Sequence, residues 1–243
     1  SGIPWLGDIP ERWEVRRLSS VAQFQPEKAH EQTVDPAGEN VCVTARFVST
    51  DGKSRKYCTK NFCPAMKNDV LMVMSDLPNG RALARAFYVD DDARYAVNQR
   101  VCIIRAHAMN PKFLAYSANR NVSLLRNDDG ANQTHLSNGD FKTMPLVCPP
   151  REEQDLIVRM LDRETGAITI TAEAADREIE LLREYRTRLI ADVVTGKLDV
   201  RAAAASLPDE TEELEPVDAD ALTEDNVEAD DSEFAAASEG VEV

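Results

Sequence analysis

The sequence predicts an α+β protein in three parts: a globular domain (residues 1–148), a long helix (149–201) and an acidic disordered tail (202–243). Three observations lead to this prediction. Short β-branched and apolar runs, separated by turn residues, fill the first part. An apolar repeat with steps of four and three residues runs through the second. The third combines many carboxylates with few large apolar side chains, so it cannot offset the entropy lost on ordering.

Strands and short helices should alternate along the globular domain. The run DVLMVM is short, continuous and apolar, which is typical of a buried strand. Asn79-Gly80-Arg81 is a turn signal that joins it to a returning strand as a hairpin. Residues 127–138 are predicted to be a polar loop. The full prediction is strands over 39–49, 69–74, 82–89, 95–105 and 144–147, and helices over 15–24 and 111–119.

The long helix has a start signal, a stop signal and a seam, which is a row of mostly apolar residues along one face. Pro150 suits the first helical position, acidic residues follow it, and Gly196 suits the residue after the last turn. The seam indicates a coiled coil, interrupted only by its arginine. Its members are Ile168, Ala172, Ala175, Ile179, Leu182, Arg186, Leu189 and Val193. The alternative is a long surface helix packed on its own domain. Gly166, beside several threonines, predicts a bend or a later start.

The charge of the chain is unevenly distributed. The formal net charge is −15, but 15 of the 43 acidic residues lie between Pro208 and Val243, where there is no Lys or Arg. The other 28 acidic residues balance the 28 basic residues. The acidic balance therefore belongs to the tail and does not exclude DNA binding by the rest of the chain.

The five cysteines form no disulfide pattern. Their odd number, with no signal peptide and no apolar run of membrane length, predicts a reducing cytoplasm and no membrane association. Cys58 and Cys63 resemble half of a metal site, but no second pair follows. Buried or unreactive thiols are therefore favoured over zinc, and no metal site is predicted.

No catalytic constellation is visible in the sequence. There is no P-loop, no Gly-rich dinucleotide turn after a strand, and no Asn-Pro-Pro-aromatic sequence of an amino-methyltransferase. The three histidines are scattered without a paired Ser or Cys signature. The chain is therefore predicted to have no catalytic centre of its own.

Nucleic-acid binding has better support. The densest basic run surrounds a tyrosine, which combines phosphate contacts with a ring that can stack. Two arginines flank the predicted hairpin, and the polar loop carries amide and hydroxyl groups of the kind that read base edges. The candidate DNA-binding residues are Lys53, Ser54, Arg55, Lys56, Tyr57, Lys60, Asn79, Arg81, Arg85, Gln133, Thr134, His135 and Asn138.

Three segments resemble the specificity subunit of type I restriction–modification systems. Residues 1–17 (SGIPWLGDIPERWEVRR) are similar to the opening of a recognition unit in that family. Residues 146–162 contain Pro-Pro-x-x-Glu-Gln and are similar to its junction between domain and helix. Residues 183–201, with VTGKLDVR, are similar to the end of its helix. Together these segments bracket residues 1–201.

The resemblance implies one target recognition domain with a curled β-sheet, followed by one conserved spacer helix. Full-length members carry this unit twice and pair the two helices antiparallel. The implied partners are double-stranded DNA, methyltransferase (modification) subunits, a restriction subunit, and a second specificity half or a second copy of the chain. S-adenosylmethionine, ATP and Mg²⁺ would belong to those partners, with no cofactor on this chain.

Two other function classes compete with DNA recognition. A protein-binding scaffold would use the same domain and helix without affinity for DNA, so the basic run would be dispensable. A DNA mimic would need the acidic residues of the tail on an ordered surface, which their composition argues against.

Overall fold

The computed structural model describes residues 1–26, 28–76, 82–126, 128, 134–201 and 205. It divides into two compact units, residues 1–160 and residues from 161 onward. The predicted disordered tail, apart from Ala205, lies outside the described residues. The α+β class and the long helix are confirmed.

The described strands are mostly short, and five helices accompany them. The strands are β1 (Glu14–Arg17), β2 (Ala22–Gln25), β3 (Asn40–Val43), β4 (Lys56–Cys58), β5 (Pro64–Ala65), β6 (Asp69–Val73), β7 (Ser75–Asp76), β8 (Ala86–Tyr88), β9 (Tyr95–Val97), β10 (Val101–Ala106), β11 (Thr134–His135) and β12 (Pro145–Cys148). The helices are α1 (Ala45–Ser49), α2 (Pro111–Ala118), α3 (Val122–Leu125), α4 (Asn138–Thr143) and α5 (Arg151–Val194).

Two four-stranded sheets form the centre of the first unit. The first is antiparallel, with strand order β2-β10-β6-β8. The second has strand order β4-β3-β9-β5, and its β3 and β9 run parallel. Two short ladders complete the described pairing: β1 with β12, and β7 with β11. The first and last strands of the unit are therefore neighbours.

Strand β6 contributes side chains to both apolar cores because it is buried on both faces. Val70 and Met72 pack in the core that contains α2 and α4. Leu71 and Val73 point the other way, into the core between the two sheets. This alternation is the period of two expected of a strand, and it explains why the run carries no polar face.

Three predicted elements were wrong. Residues 15–24 form β1, a 3₁₀ turn (Leu18–Ser20) and β2 instead of one helix. Residues 39–49 form β3 and then α1, which begins because the Thr44 hydroxyl accepts a hydrogen bond from the Phe47 amide (3.2 Å). Residues 95–105 are two strands in different sheets, separated by a turn at Asn98–Arg100.

A buried glutamine fixes the first turns of α5 to the first unit. The Gln154 side chain is 4% exposed, accepts a hydrogen bond from the Asn110 amide (2.8 Å) and donates to the Pro149 carbonyl (2.7 Å). Asn110 in turn donates to Asp155 (2.7 Å), and this bond lowers the pKa of that carboxyl. Trp13 donates its indole N–H to Glu153 (2.9 Å). The Pro-Pro-x-x-Glu-Gln segment is therefore a structural junction.

Replacing Gln154 with Ala should destabilise the chain by roughly 1–3 kcal/mol, because a buried amide and a buried carbonyl would lose their partners. Urea unfolding followed by tryptophan fluorescence would measure the loss. Glu152→Ala is the matched control, since Glu152 is exposed on the same turn. Equal stability of the two variants would contradict the proposed role of the junction.

Helix α5 runs without interruption through Gly166, so the predicted later start was wrong. The predicted bend at Gly166 stays a prediction. A Cβ atom added at Gly166 would meet nothing within 4 Å. The predicted stop is confirmed: Gly196 has a φ of 73°, and its amide donates to the Val193 carbonyl (3.1 Å).

Replacing Gly166 with Ala should therefore stabilise the helix by about 1 kcal/mol, because alanine loses less backbone entropy and finds open space. Thermal unfolding followed by circular dichroism would detect a higher Tm. The reverse change at the next position, Ala167→Gly, should lower it. A drop in Tm for Gly166→Ala would mean that the open space is occupied in solution.

Candidate nucleic-acid interface

The loop after α1 holds two cationic side chains in a fixed turn. Gly52 has a φ of 76°, and a Cβ there would lie 3.2 Å from the Phe87 ring, so the turn requires glycine. The Ser54 amide donates to the Thr50 hydroxyl (3.0 Å). Arg55 donates its Nε–H to the Gly52 carbonyl (3.0 Å), which ties the exposed guanidinium to the turn.

Arg85 reaches the same turn from a different segment. It lies before β8, is exposed, and donates from Nη1 to the Ser49 carbonyl at the end of α1 (3.4 Å). Cations at a helix C-terminus are favoured by its exposed carbonyl groups. We call Lys53, Arg55 and Arg85 the basic patch. Arg85 follows Arg55 by 30 residues in sequence and comes close to this turn only in the fold.

An aromatic cluster packs behind this turn. Phe47 contacts Phe87 edge to face, with ring centroids 4.9 Å apart, and lies 5.7 Å from the Tyr95 ring. Burial, followed by a hydrogen bond with Asp91, raises the pKa of Tyr95 to about 12. Tyr95 therefore stays neutral at physiological pH and serves packing.

The rest of the predicted basic run lies on the edge strand β4. Lys56 pairs with Cys42 and Tyr57 with Val41, so their side chains are on opposite faces of the sheet. Tyr57 is 36% exposed. Lys60 is exposed beyond the strand end. Lys56 and Tyr57 therefore do not form one contiguous surface, although they are neighbours in sequence.

The polar residues predicted to read bases lie near a different edge. Thr134 pairs with Asp76 and His135 with Ser75 in the β7–β11 ladder. The Asp76 carboxylate accepts hydrogen bonds from the amides of Ala82 (2.6 Å) and Leu83 (3.1 Å). Asn138 is exposed in the first turn of α4. Asn79, Arg81 and Gln133 lie outside the described residues.

Two arginines that the sequence did not single out lie at this edge. The Arg100 carbonyl accepts from the Met74 amide (2.7 Å). The Arg120 amide donates to the Ala84 carbonyl (2.7 Å), and its Nη1 lies 3.4 Å from the Leu83 carbonyl oxygen. Each follows an asparagine-containing turn, which is the only local signal that could have drawn attention to them.

The cysteines have no visible ligand role. All five are free, and only Cys148 is not fully buried. Burial raises the pKa of Cys58 and of Cys148, which favours the thiol. Among the described residues, no three His, Cys, Asp or Glu side chains lie close enough to hold a metal. No described helix is long and apolar enough to cross a membrane.

The predicted seam of α5 is exposed except at Val193. Ile168 is 68% exposed, Ile179 46%, and Leu182 59%. Ala172, Ala175 and Arg186 are exposed, Leu189 is 38% exposed, and Val193 is partly buried. The exposed apolar set extends beyond the seam to Tyr185 and Ile190. The prediction that these residues pair with another helix stays a prediction.

Comparison with known proteins decides the family. A family model described as "Type I restriction modification DNA specificity domain" matches residues 10–181. The chain belongs to this family. The match confirms the prediction that the chain is a specificity component of a type I restriction–modification system. It is also consistent with the lack of a catalytic motif in the sequence. No curated protein matches the sequence.

Solved structures show the same fold for this specificity domain. A chain from a study of complex assembly and conformational transition of the type I R-M system has a TM-score of 0.57 and 19% identity, covering 73% of this chain and 44% of that one. The type I restriction-modification S subunit from M. genitalium gives 0.54 and 15%, covering 74% and 46%. The HsdS subunit from Thermoanaerobacter tengcongensis gives 0.50 and 18%, covering 70% and 41%. This chain spans less than half of each.

Proposed function

We propose that this chain reads one half of a bipartite double-stranded DNA target as the specificity subunit, or half-subunit, of a type I restriction–modification complex. The basic patch is the observation that carries the proposal. Its cations come from two segments of the chain, and Arg55 and Arg85 donate to carbonyls of the turn that follows α1, which suits phosphate contacts that set the register on DNA. Membership of the DNA specificity family supports the same reading.

The helix α5 would dock the other subunits. Isoleucine and leucine side chains remain exposed along the seam. Covering them with another helix removes apolar surface from water and so stabilises the complex. We propose that the modification subunits and a second specificity half, or a second copy of the chain, use this surface. A restriction subunit would join that assembly. S-adenosylmethionine, ATP and Mg²⁺ would be bound by the partners.

The test is co-purification with the modification subunit of the same system, followed by selection from a random pool of DNA duplexes. Enrichment of a two-part motif supports the proposal and reveals the half-site. A stable complex that enriches no sequence would instead favour a protein-binding scaffold, the function that the exposed seam alone would serve. Selection should be repeated at two salt concentrations, since phosphate contacts alone give salt-dependent binding without a motif.

A further inference from the structure

A row of polar side chains crosses three strands of the first sheet at its β2 edge. Gln23 in β2 lies opposite Arg105 in β10, and Arg105 lies opposite Asp69 in β6. Residues directly opposite each other in a sheet carry their side chains on the same face. Gln25, two residues beyond Gln23, lies opposite Ile103 on that face. These side chains therefore share one side of the sheet.

A pocket open to solvent lies at the β2 end of this row. Its volume is about 270 Å³, close to the lower end of the range for ligand pockets, roughly 300–1,000 Å³. Both glutamines are exposed, and β2 is an edge strand, from which a sheet can enter a DNA groove. The residues that line the pocket are Gln23, Phe24, Gln25, Pro26, Ile103 and Arg105.

The buried Asp69 carboxylate fixes the orientation of the Arg105 guanidinium. Arg105 donates from Nε to Oδ1 and from Nη2 to Oδ2, both at 2.7 Å. The Asp69 side chain is 1% exposed and also accepts from the Met66 amide (2.8 Å), so the carboxylate is itself held in place. A bidentate pair of this kind sets the plane of the guanidinium. Arg105 therefore enters the pocket wall in one orientation, with its side chain 38% exposed.

One end of the Arg105 guanidinium is available to a ligand. A guanidinium carries five N–H donors, and Asp69 accepts from two of them. No other group in the described part of the chain accepts a hydrogen bond from Arg105. The remaining donors include one N–H on Nη1 and one on Nη2, which point the same way because the group is planar. Guanine accepts such a pair with O6 and N7 in the major groove.

The charge of the pocket favours a base over a phosphate. Asp69 compensates the charge of Arg105, and the lining glutamines are uncharged. Phosphate contacts draw their affinity from positive charge, which releases counterions from DNA. A compensated pair has little of that driving force, whereas reading a base edge needs donors and acceptors in fixed positions. The Gln23 amide offers one of each, as adenine requires.

We propose that Arg105, positioned by Asp69, reads a guanine in the half-site of this domain, and that Gln23 contacts a neighbouring base pair. This inference rests on the proposed DNA recognition and adds the reading residue and its base. The basic patch adjoins β8, the opposite edge of the same sheet. Phosphate contacts and base contacts are therefore made at different edges.

Gln23→Glu tests the proposal without breaking the ion pair. The new carboxylate lies opposite Arg105 and accepts its free N–H groups, so the Tm should be unchanged or higher. Wild type and variant, each purified as the full chain with its modification subunit, are compared in the duplex selection. The preference for guanine at one motif position should fall roughly 5- to 150-fold. Gln99→Glu is the matched control, because Gln99 is exposed in the turn before β10; its motif should be that of the wild type.

Two further variants separate base reading from a structural ion pair. Arg105→Lys keeps a cation beside Asp69 but loses the planar fork, so it should lose the same guanine preference with an unchanged salt slope. Asp69→Asn leaves the Arg105 charge uncompensated. It should lower the guanine preference and steepen the salt slope by about one, because a free cation releases a counterion.

Three outcomes would overturn the proposal. An unchanged motif in both Gln23→Glu and Arg105→Lys would make the ion pair structural. Uniform weakening across all sequences, with a smaller salt slope, would make Arg105 a phosphate contact. Loss of the modification subunit with an unchanged motif would make the pocket a protein-binding site. A wild-type complex that enriches no motif would contradict the proposed function itself, which is a separate result.

Discussion

Replacing Lys53, Arg55 and Arg85 together with Glu is expected to weaken DNA binding on the order of 100-fold or more at low ionic strength. Each cation of the basic patch would otherwise release counterions from a phosphate, and each Glu adds repulsion. The slope of log affinity against log salt should fall by about three, one for each lost contact. Fluorescence anisotropy on a labelled duplex at several salt concentrations would measure both quantities.

The control must change the net charge equally. Lys67, Arg94 and Lys142 are exposed and lie outside the basic patch, so their replacement by Glu gives the same overall charge. This control should retain most of the salt slope. If both triple variants lose the same affinity and slope, the net charge of the domain governs binding and the basic patch is not the footprint.

Replacing Leu182 with Asp is expected to abolish partner docking on α5, lowering affinity at least 100-fold. A carboxylate buried in a helix seam costs several kcal/mol, and each 1.4 kcal/mol is tenfold in affinity. The fold of the chain itself should change little, because Leu182 is 59% exposed. Sedimentation velocity and co-purification with the modification subunit would measure the effect, with circular dichroism confirming the helix.

Leu181 provides a closely matched control for this change. It is the same residue type on the same turn, 66% exposed, and one position away from the seam. Leu181→Asp should leave association nearly intact. If Leu181→Asp blocks docking and Leu182→Asp does not, the register of the seam is wrong, although a docking surface on α5 would remain.

The most regular segments could be predicted from sequence, because a single physical pattern dominates each of them. α5 has a seam and a glycine stop, β6 is a continuous apolar run, and α2 begins with Asn110 as cap and Pro111 at its first position. Residues 15–24 were ambiguous, since the spacing of Leu18, Val21 and Ala22 fits a helix as well as a 3₁₀ turn between two strands. Tertiary pairing of β1 and β2 decided between them.

The candidate site could be predicted only where it is local. The basic run could be recognised because its members are nearly consecutive in sequence. Lys56 and Tyr57 lie in a strand, however, where successive side chains point to opposite faces of the sheet. Arg85 joins Arg55 only because β8 packs against the α1 turn. Arg100 and Arg120 were not singled out because long-range backbone hydrogen bonds place them at this edge, and no spacing in the sequence reveals such bonds. Thr44, in contrast, is a residue type that favours a helix N-cap, so the start of α1 could have been predicted from the sequence. The β-branched composition of residues 39–49 led to a strand prediction instead.

The pairing of β1 with β12 has a consequence for how such a domain can change over evolution. Glu14 lies opposite Cys148, so the chain enters and leaves the folded part at adjacent points. A segment with neighbouring ends can be exchanged as a block without stretching the chain on either side. Another domain could be grafted between these two points while the hydrogen bond between Trp13 and Glu153 is kept. Such a graft is expected to change the DNA preference and to leave the helix unchanged.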